Sequence, residues 1–227
     1  MNMLFTVFFS IVFVMYVIAT VGLLVYGLNC YVMLYLFARK QRVSFQARTG
    51  IMKKYGSLPD NMNLPAVTTQ IACFNEYNVI ERVMRAVCAM EYPRDKHEIQ
   101  VLDDSTDSTA ELVASVAKEL RAQGHDIEVL HRDNRAGFKA GALQAGLEKA
   151  EGELISVFDA DFVPPPEFLK SLAPFFMDDP RLGFAQTRWG HLNRRRSMLT
   201  RAQSIGIDGH FVIEQVARSW NNLYMNF

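Results

Sequence analysis

No Asp, Glu, Lys or Arg occurs before Arg39, and this asymmetry constrains the chain more than any other feature. Residues 4–37 read LFTVFFSIVFVMYVIATVGLLVYG and then LNCYVMLYLF, apolar on every helical face. A bilayer crossing takes roughly 20 apolar residues. This run exceeds that, with length left to tilt or to follow the interface. A helix at the surface of a soluble domain keeps a polar face. A cleaved secretory signal has a basic start and a shorter apolar core ahead of a small-residue exit. Residues 1–38 are therefore expected to form a transmembrane anchor.

Arg39, Lys40, Arg42, Arg48, Lys53 and Lys54 follow at once. Basic residues flanking a span are retained on the cytoplasmic side. The expected topology has the N-terminus outside and everything from about residue 40 in the cytosol, at a membrane of the inner, plasma or Golgi type. Residues 39–64 read as a basic juxtamembrane linker that ends in the loop SLPDNMNLP. Charge is balanced at 24 Lys+Arg against 24 Asp+Glu in 227 residues. A nucleic-acid binder usually needs a basic surplus, so that class is excluded as a partner. Residues 39–227 carry all of these charges, about one residue in four, as in an ordinary soluble domain. Cys30, Cys73 and Cys88 form no CxxC pair and no framework for disulfides or zinc. Unpaired thiols suit a reducing compartment.

From Pro65 onward short apolar runs alternate with helical periodicity. VTTQIAC (67–73), IQVLDD (99–104), IEVLHR (127–132) and ELISVFDAD (153–161) read as buried strands, and RLGFAQTRW (181–189) as a fifth. Helices are expected over 78–90, over 105–124 with Ser105 or Asp107 as cap and Gly124 as stop, and from RAGFKAGAL to near Gly152. Further helices are expected to open at PPPEFLKSLAPFFMD, with the prolines in the first turn, and over 197–220, the last weakened by Gly206 and Gly209. The alternation predicts an α/β fold with an open parallel sheet, Rossmann-like, preceded by the membrane helix. In such sheets ligands bind beyond the carboxyl ends of the strands.

Two acidic clusters fall at those ends. Asp159 and Asp161 are two residues apart with the small Ala160 between them. In extended chain they share a side, which suits a hard cation such as Mg²⁺ or Mn²⁺ gripping a diphosphate. A solvated turn with two surface acids is the plain alternative, and the DxD spacing alone does not decide between them. Asp103 and Asp104 end another strand, where carboxylates can accept bonds from a nucleobase or ribose, or cap the following helix. Asn75 and Glu76 follow the first strand in the same layer. Lys139 sits where a loop enters a helix, between Gly137 and Gly141, and can pair with phosphate or base. His97, His125, His131, His191 and His210 are scattered without metal-ligand spacing and read as structural or exposed, His210 being the most interesting. Cys73 and Cys88 read as core. Arg194, Arg195 and Arg196, beside Trp189, read as a solvated face or as a contact for lipid headgroups or an anionic ligand. No GxSxG, GxGxxG or Walker loop is present, which excludes the usual hydrolase, dehydrogenase and P-loop signatures.

Taken in order, PAVTTQIACFNE, QVLDDSTDST, HRDNRAGFKAGAL, ISVFDADFVPP, GFAQTRWGHLN and LTRAQSIGIDGHFVIEQ resemble the processive family 2 glycosyltransferases, in particular the cellulose-synthase-like glucomannan mannosyltransferase branch. The resemblance spans residues 65–227 and implies a GT-A type domain over that range. It implies that Glu76, Asp103, Asp104, Lys139 and Asp159 bind a nucleotide sugar of the UDP-glucose or GDP-mannose type. It also implies that Asp159 and Asp161 face Mg²⁺ or Mn²⁺. The implied reaction is an inverting transfer of a hexose to a growing β-glycan. A non-processive enzyme with a lipid acceptor and a nucleotide-sugar-binding pseudoenzyme remain alternatives. Ala72 stands where the family usually has Pro. Gln186-Thr187-Arg188-Trp189 is not the family's Q-x-x-R-W signature, since one residue separates Gln from Arg. That signature, the general base and further membrane helices are expected beyond Phe227, so the chain reads as the donor-binding part of a longer enzyme and is expected to be poorly active or inactive alone.

Overall fold

The computed structural model describes residues 2–56, 64–132 and 134–223. The loop expected at SLPDNMN lies outside the described residues. The chain divides into two compact units, Met1–Gly50 with Gln186–Phe227, and Ile51–Ala185.

Helix α1 runs unbroken from Asn2 to Tyr55. It is long and apolar enough to cross a membrane, and no part of its most apolar window is buried within the protein. The segment expected to be a linker therefore continues α1 as helix through Arg39–Tyr55. Lys53 and Lys54 in its last turn favour the negative end of the helix dipole.

The second unit is built on strands β1 (Val67–Cys73), β2 (His97–Asp103), β3 (Asp126–His131) and β4 (Leu154–Asp159). They form one sheet in the order β3-β2-β1-β4, all neighbours parallel. Between them run helices α2 (Ile80–Cys88), α3 (Thr109–Ala122) and α4 (Phe138–Leu147), and α5 (Phe168–Asp178) follows β4. All residues of β1 except the half-buried Ala72 are buried, because neighbours flank the strand on both edges and layers cover both faces.

The two faces of the sheet differ in chemistry. On one, Val67, Ile71, Ile99 and Val101 meet the stripes Ile80–Val83–Met84–Val87 of α2 and Val113–Val116–Ala117–Leu120 of α3. Those spacings, three and four apart, put each set on a single helical face. The other face is polar. Gln70 and Gln100, 1% and 0% exposed, are joined by a 3.0 Å hydrogen bond, and Gln100 also donates to Glu98 at 2.8 Å. Helix α4 closes over them at Gly146. A Cβ there would stand 2.6 Å from the Gln70 amide nitrogen and 2.7 Å from Leu102. Glycine is what lets α4 approach a buried amide ladder.

The expected fifth strand is not formed. Residues 182–190 have no regular structure and pair with no strand among the described residues. A strand is defined by its partner as much as by its composition, and Gly183 and Gly190 bracket a segment whose Phe184 is half exposed.

In the first unit the expected helix over 197–220 is present with a modulation. Helix α6 (Met198–Asp208) starts at a capping box between Ser197 and Thr200, widens into a π-turn over Gly209–Glu214, and resumes as α7 (Gln215–Ser219). His191 and Arg194 both reach Asp208, at 3.1 and 3.2 Å. The His191 hydrogen bond, with Arg194 and Arg188 nearby, holds the Asp208 carboxyl below its ordinary range. Trp189 lies against Phe211 with ring centroids 5.2 Å apart. His210 is structural here, bound to Glu214 and Gln215 at 3.0 Å each. Cys73 and Cys88 are buried, as expected for core thiols. Burial pushes both up to about 11, so neither is a thiolate at neutral pH.

Candidate functional site at the carboxyl rim of the sheet

Parallel pairing brings the strand ends into one row. Cys73 of β1 is level with Asp103 of β2, Asp103 with His131 of β3, and Ala72 of β1 with Asp159 of β4. Asp103 and Asp159 therefore flank β1, two strand spacings or about 10 Å apart. Every residue expected to bind donor or metal lies at this edge, in the loops leaving it or, for Lys139, in the first turn of α4.

The two acidic clusters are not equivalent. Asp103 is 1% exposed. One carboxylate oxygen accepts from the Ser105 backbone N–H at 3.0 Å, and the other is 3.0 Å from His131 Nδ1. Asp104 is 5% exposed and meets Arg132 side-on, with Nε at 2.7 Å and Nη2 at 2.5 Å. Such a forked pair is among the strongest a protein makes. The Asp104 hydrogen bonds hold the Arg132 guanidinium above its already high ordinary value. Arg132 in turn donates to the carbonyls of Ala136 and Phe138, both at 3.2 Å. Asp104 thus fixes, through Arg132, the loop that delivers Lys139. Neither Asp103 nor Asp104 caps α3, whose N-cap is Ser108 with no side-chain capping bond; Asp107 just before it accepts from Thr109 N–H at 2.9 Å, and its hydrogen bonding to Thr109 holds its carboxyl below the ordinary range.

Asp159, Asp161 and Lys139 are exposed to solvent. The Lys139 ammonium is ion-paired to Asp159, with both side chains close to half exposed. A pair so open to water contributes at most about 1 kcal/mol, so Lys139 is exchangeable. Asp161 follows in the turn closed by the Phe162 N–H on the Asp159 carbonyl, and its carboxylate has no hydrogen-bond partner among the described residues. The prolines 164–166 precede α5 instead of occupying its first turn. No third His, Cys, Asp or Glu completes a metal-binding cluster here among the described residues. Two exposed carboxylates are a donor set for a hard cation that takes its remaining ligands from water and phosphate oxygens.

Glu76 is exposed in the loop after β1, beside Asn75. Asn75 adopts φ 54° and bridges two strand ends: its N–H donates to Ser105 Oγ at 3.0 Å, and its side-chain oxygen accepts from Thr106 N–H at 2.9 Å. The start of α4 carries two successive left-handed residues, the N-cap Gly137 at φ 71° and Phe138 at φ 51°. Glycine takes that conformation freely, but for Phe138 it is strained, and strain of this kind collects at binding sites. The Gly141 space is taken by the Ala136 carbonyl, so that glycine serves loop packing and not ligand approach. Arg135 stacks over the Phe74 ring at 3.4 Å. Sequence reasoning missed the roles of His131, Arg132 and Arg135. The signal was present for the first two, since the end of a third parallel strand must lie beside Asp103 and Asp104.

Comparison with known proteins gives a consistent result. Glucomannan 4-beta-mannosyltransferase 2 of Arabidopsis thaliana is 39% identical over 169 residues, covering 73% of this chain and 32% of that protein. Glucomannan 4-beta-mannosyltransferase 1 of Cyamopsis tetragonoloba is 38% identical over 167 residues, covering 72% and 32%. The chain thus spans about a third of the length of these relatives. Among solved structures, the mannosyltransferase PcManGT from Pyrobaculum calidifontis, in complex with GDP-Man and Mn²⁺, is 27% identical over 68% of this chain and 45% of that one, with a TM-score of 0.48. The family profile described as Glycosyl transferase family 2 matches residues 69–222. By that match and these identities the chain belongs to glycosyltransferase family 2, and its parallel α/β sheet is the GT-A fold of that family.

Proposed function

We propose that this chain is the donor-binding part of a membrane-anchored, inverting hexosyltransferase that extends a β-glycan from a nucleoside-diphosphate sugar. The observation that carries the reading is the carboxyl rim of the sheet. Asp159, Asp161, Glu76 and Lys139 gather there in solvent while Asp103 and Asp104 are held beneath them. The similarity to glucomannan mannosyltransferases favours GDP-mannose as donor and a β-mannan chain as acceptor.

Asp159 and Asp161 would hold Mg²⁺ or Mn²⁺, whose chemistry is to offset the charge of the departing diphosphate. Lys139 exchanges its bond to Asp159 for a phosphate oxygen. Asn75 and Glu76 border the nucleoside, and the Asp103–Asp104 layer supports it from below. The acceptor hydroxyl oxygen attacks the anomeric carbon from the face opposite the diphosphate. The new C–O bond forms as the bond to the phosphate oxygen breaks, and that oxygen keeps the electron pair. The acceptor proton passes to a base, a role we assign to no residue of this chain. The length and apolarity of helix α1 support its reading as the anchor, and its basic flank from Arg39 onward favours a cytosolic catalytic unit.

Calorimetry of the purified chain with GDP, UDP and GDP-mannose, each with and without Mn²⁺, tests the site. The expected result is metal-dependent binding that weakens by about tenfold or more in Asp161→Ala, the loss typical when a metal site is disturbed. Equal binding by both proteins, with and without the ion, would overturn the assignment.

A further inference from the structure

The first unit contains a cavity unconnected with the carboxyl rim. It has a volume of about 610 Å³ and is lined by Phe37, Phe45, Arg42 and Arg48 of α1 together with Arg188 and Phe211. Along α1 the lining residues Phe37, Gln41, Ser44 and Arg48 recur at spacings of three and four and share one stripe, and Arg42, Phe45 and Gln46 extend the lining beyond it. No Asp or Glu lines it. None of the three arginines has a carboxylate within ion-pair distance among the described residues, and Asp208, near Arg188, is taken by His191 and Arg194. The apolar lining is equally unsatisfied. Phe45 stands 71% exposed, although Phe211, which also lines the cavity, is 9% exposed and packed.

A cavity lined both by three guanidinium groups without a carboxylate partner among the described residues and by phenyl rings calls for a ligand that carries a phosphate and a hydrocarbon part. Its place in the chain says where that ligand comes from. Phe37 is among the last residues of the charge-free run, and Arg42 and Arg48 lie one and three turns further on. In a helix that crosses a bilayer, this is the level at which acyl chains give way to headgroups. We infer that the cavity binds an anionic glycerophospholipid. Its phosphate is met by Arg42, Arg48 and Arg188, and the first part of an acyl chain lies against Phe37, Phe45 and Phe211. Guanidinium groups pair with phosphate in forked geometry, which gives the site a preference that diffuse surface charge lacks. The inference rests on the reading of α1 as a membrane helix.

The test uses the full chain in neutral detergent micelles, titrated with short-chain phosphatidylglycerol, phosphatidylcholine or inorganic phosphate. Native mass spectrometry counts the lipid retained. Phosphatidylglycerol should be retained over phosphatidylcholine, with inorganic phosphate a poor competitor. The double substitution Arg42→Gln/Arg188→Gln should reduce that preference about tenfold. The matched pair Arg39→Gln/Lys40→Gln, which removes the same charge outside the cavity, should leave it unchanged. Phe45→Ser, at an exposed position, should lower retention of both lipids without loss of helicity. Equal losses from the two double substitutions would overturn the site in favour of diffuse attraction, and full competition by inorganic phosphate would overturn it in favour of a free-anion site. Flotation with phosphatidylcholine vesicles separates the premises. A chain that floats but shows no phosphatidylglycerol preference keeps its anchor and loses the cavity proposal; one that does not float loses both.

Discussion

Replacing Arg132 by Met isolates the link between the buried acids and the exposed part of the rim. In the native protein the Asp104 side chain is 4% exposed and its partner Arg132 17% exposed. Methionine keeps the aliphatic stem but leaves a carboxylate with no cation at a depth where water scarcely reaches. Breaking a buried ion pair from one side costs about 3–5 kcal/mol. The partial exposure of Arg132 favours the lower end, and two exposed hydrogen bonds to Ala136 and Phe138 add little. The expected loss is about 3 kcal/mol, which a domain of ordinary stability survives. Hydrogen exchange reads it directly, and peptides covering β1 and β2 should exchange about a hundredfold faster. Asp104→Asn alone should cost a similar amount. The double variant should cost less than the two together by about 2 kcal/mol, because each single change strands the other partner. Raising the pH does not disconnect the pair, since Asp104 holds the guanidinium above its ordinary value. An Arg132→Met loss under about 1 kcal/mol, additive with Asp104→Asn, would show that Asp104 is not the anchor of the Lys139 loop.

Two further outcomes follow from the same structure. Gly146→Ala should destabilise the sheet unit by about 2–4 kcal/mol in denaturant melts despite the better helix propensity of alanine, because its Cβ would fall 2.6 Å from Gln70 and 2.9 Å from Gln100; a neutral or stabilising result would refute the close approach of α4. His97, bound to Thr69 Oγ1 at 2.9 Å in a cavity shared with Glu91, Arg94, His125 and Asp126, is pushed down to about 4 chiefly by burial and secondarily by His125. The unfolded chain takes up that proton near 6.5, so stability is full above about pH 6.5 and falls by up to about 3 kcal/mol as the pH drops to 4, a slope that His97→Gln should flatten in pH-dependent melts.

The parts of the fold legible in the sequence were those set by short-range pattern. VTTQIAC is β-branched and short, and it is β1 to the residue. The apolar stripes of α2 and α3 repeat at three and four, and both helices are present with ends shifted by a few residues. Residues 181–189 carry similar composition but form no strand, because pairing is a long-range property that composition does not encode. The continuation of α1 to Tyr55 was hidden for a related reason. The change from apolar to basic residues marks a change of solvent, and a helix crosses such a boundary without a break when no Pro stops it; Gly50 lies inside the continuation and does not end it.

At the rim the sequence showed which residues meet but not which of them are spent on one another. Asp103-Asp104 and Asp159-Asp161 look alike as dipeptide signals, two acids at a strand end. Their difference comes from neighbours supplied by other strands. Asp103 ends β2 and Asp104 follows it, with β3 alongside, so His131 Nδ1 arrives 3.0 Å from Asp103, and Arg132 pairs with the Asp104 charge that burial would otherwise make costly. Asp159 ends β4, whose outer edge pairs with no strand among the described residues, so Asp159 and Asp161 stay in water with only the exchangeable Lys139. The order β3-β2-β1-β4 therefore divides the labour. The acids with strand neighbours on both sides become scaffold, and those at the open edge remain available to a ligand. The same argument ranks the site residues: substitutions at Asp104 or Arg132 should change stability and nucleotide affinity together, whereas Asp161→Ala should change affinity alone.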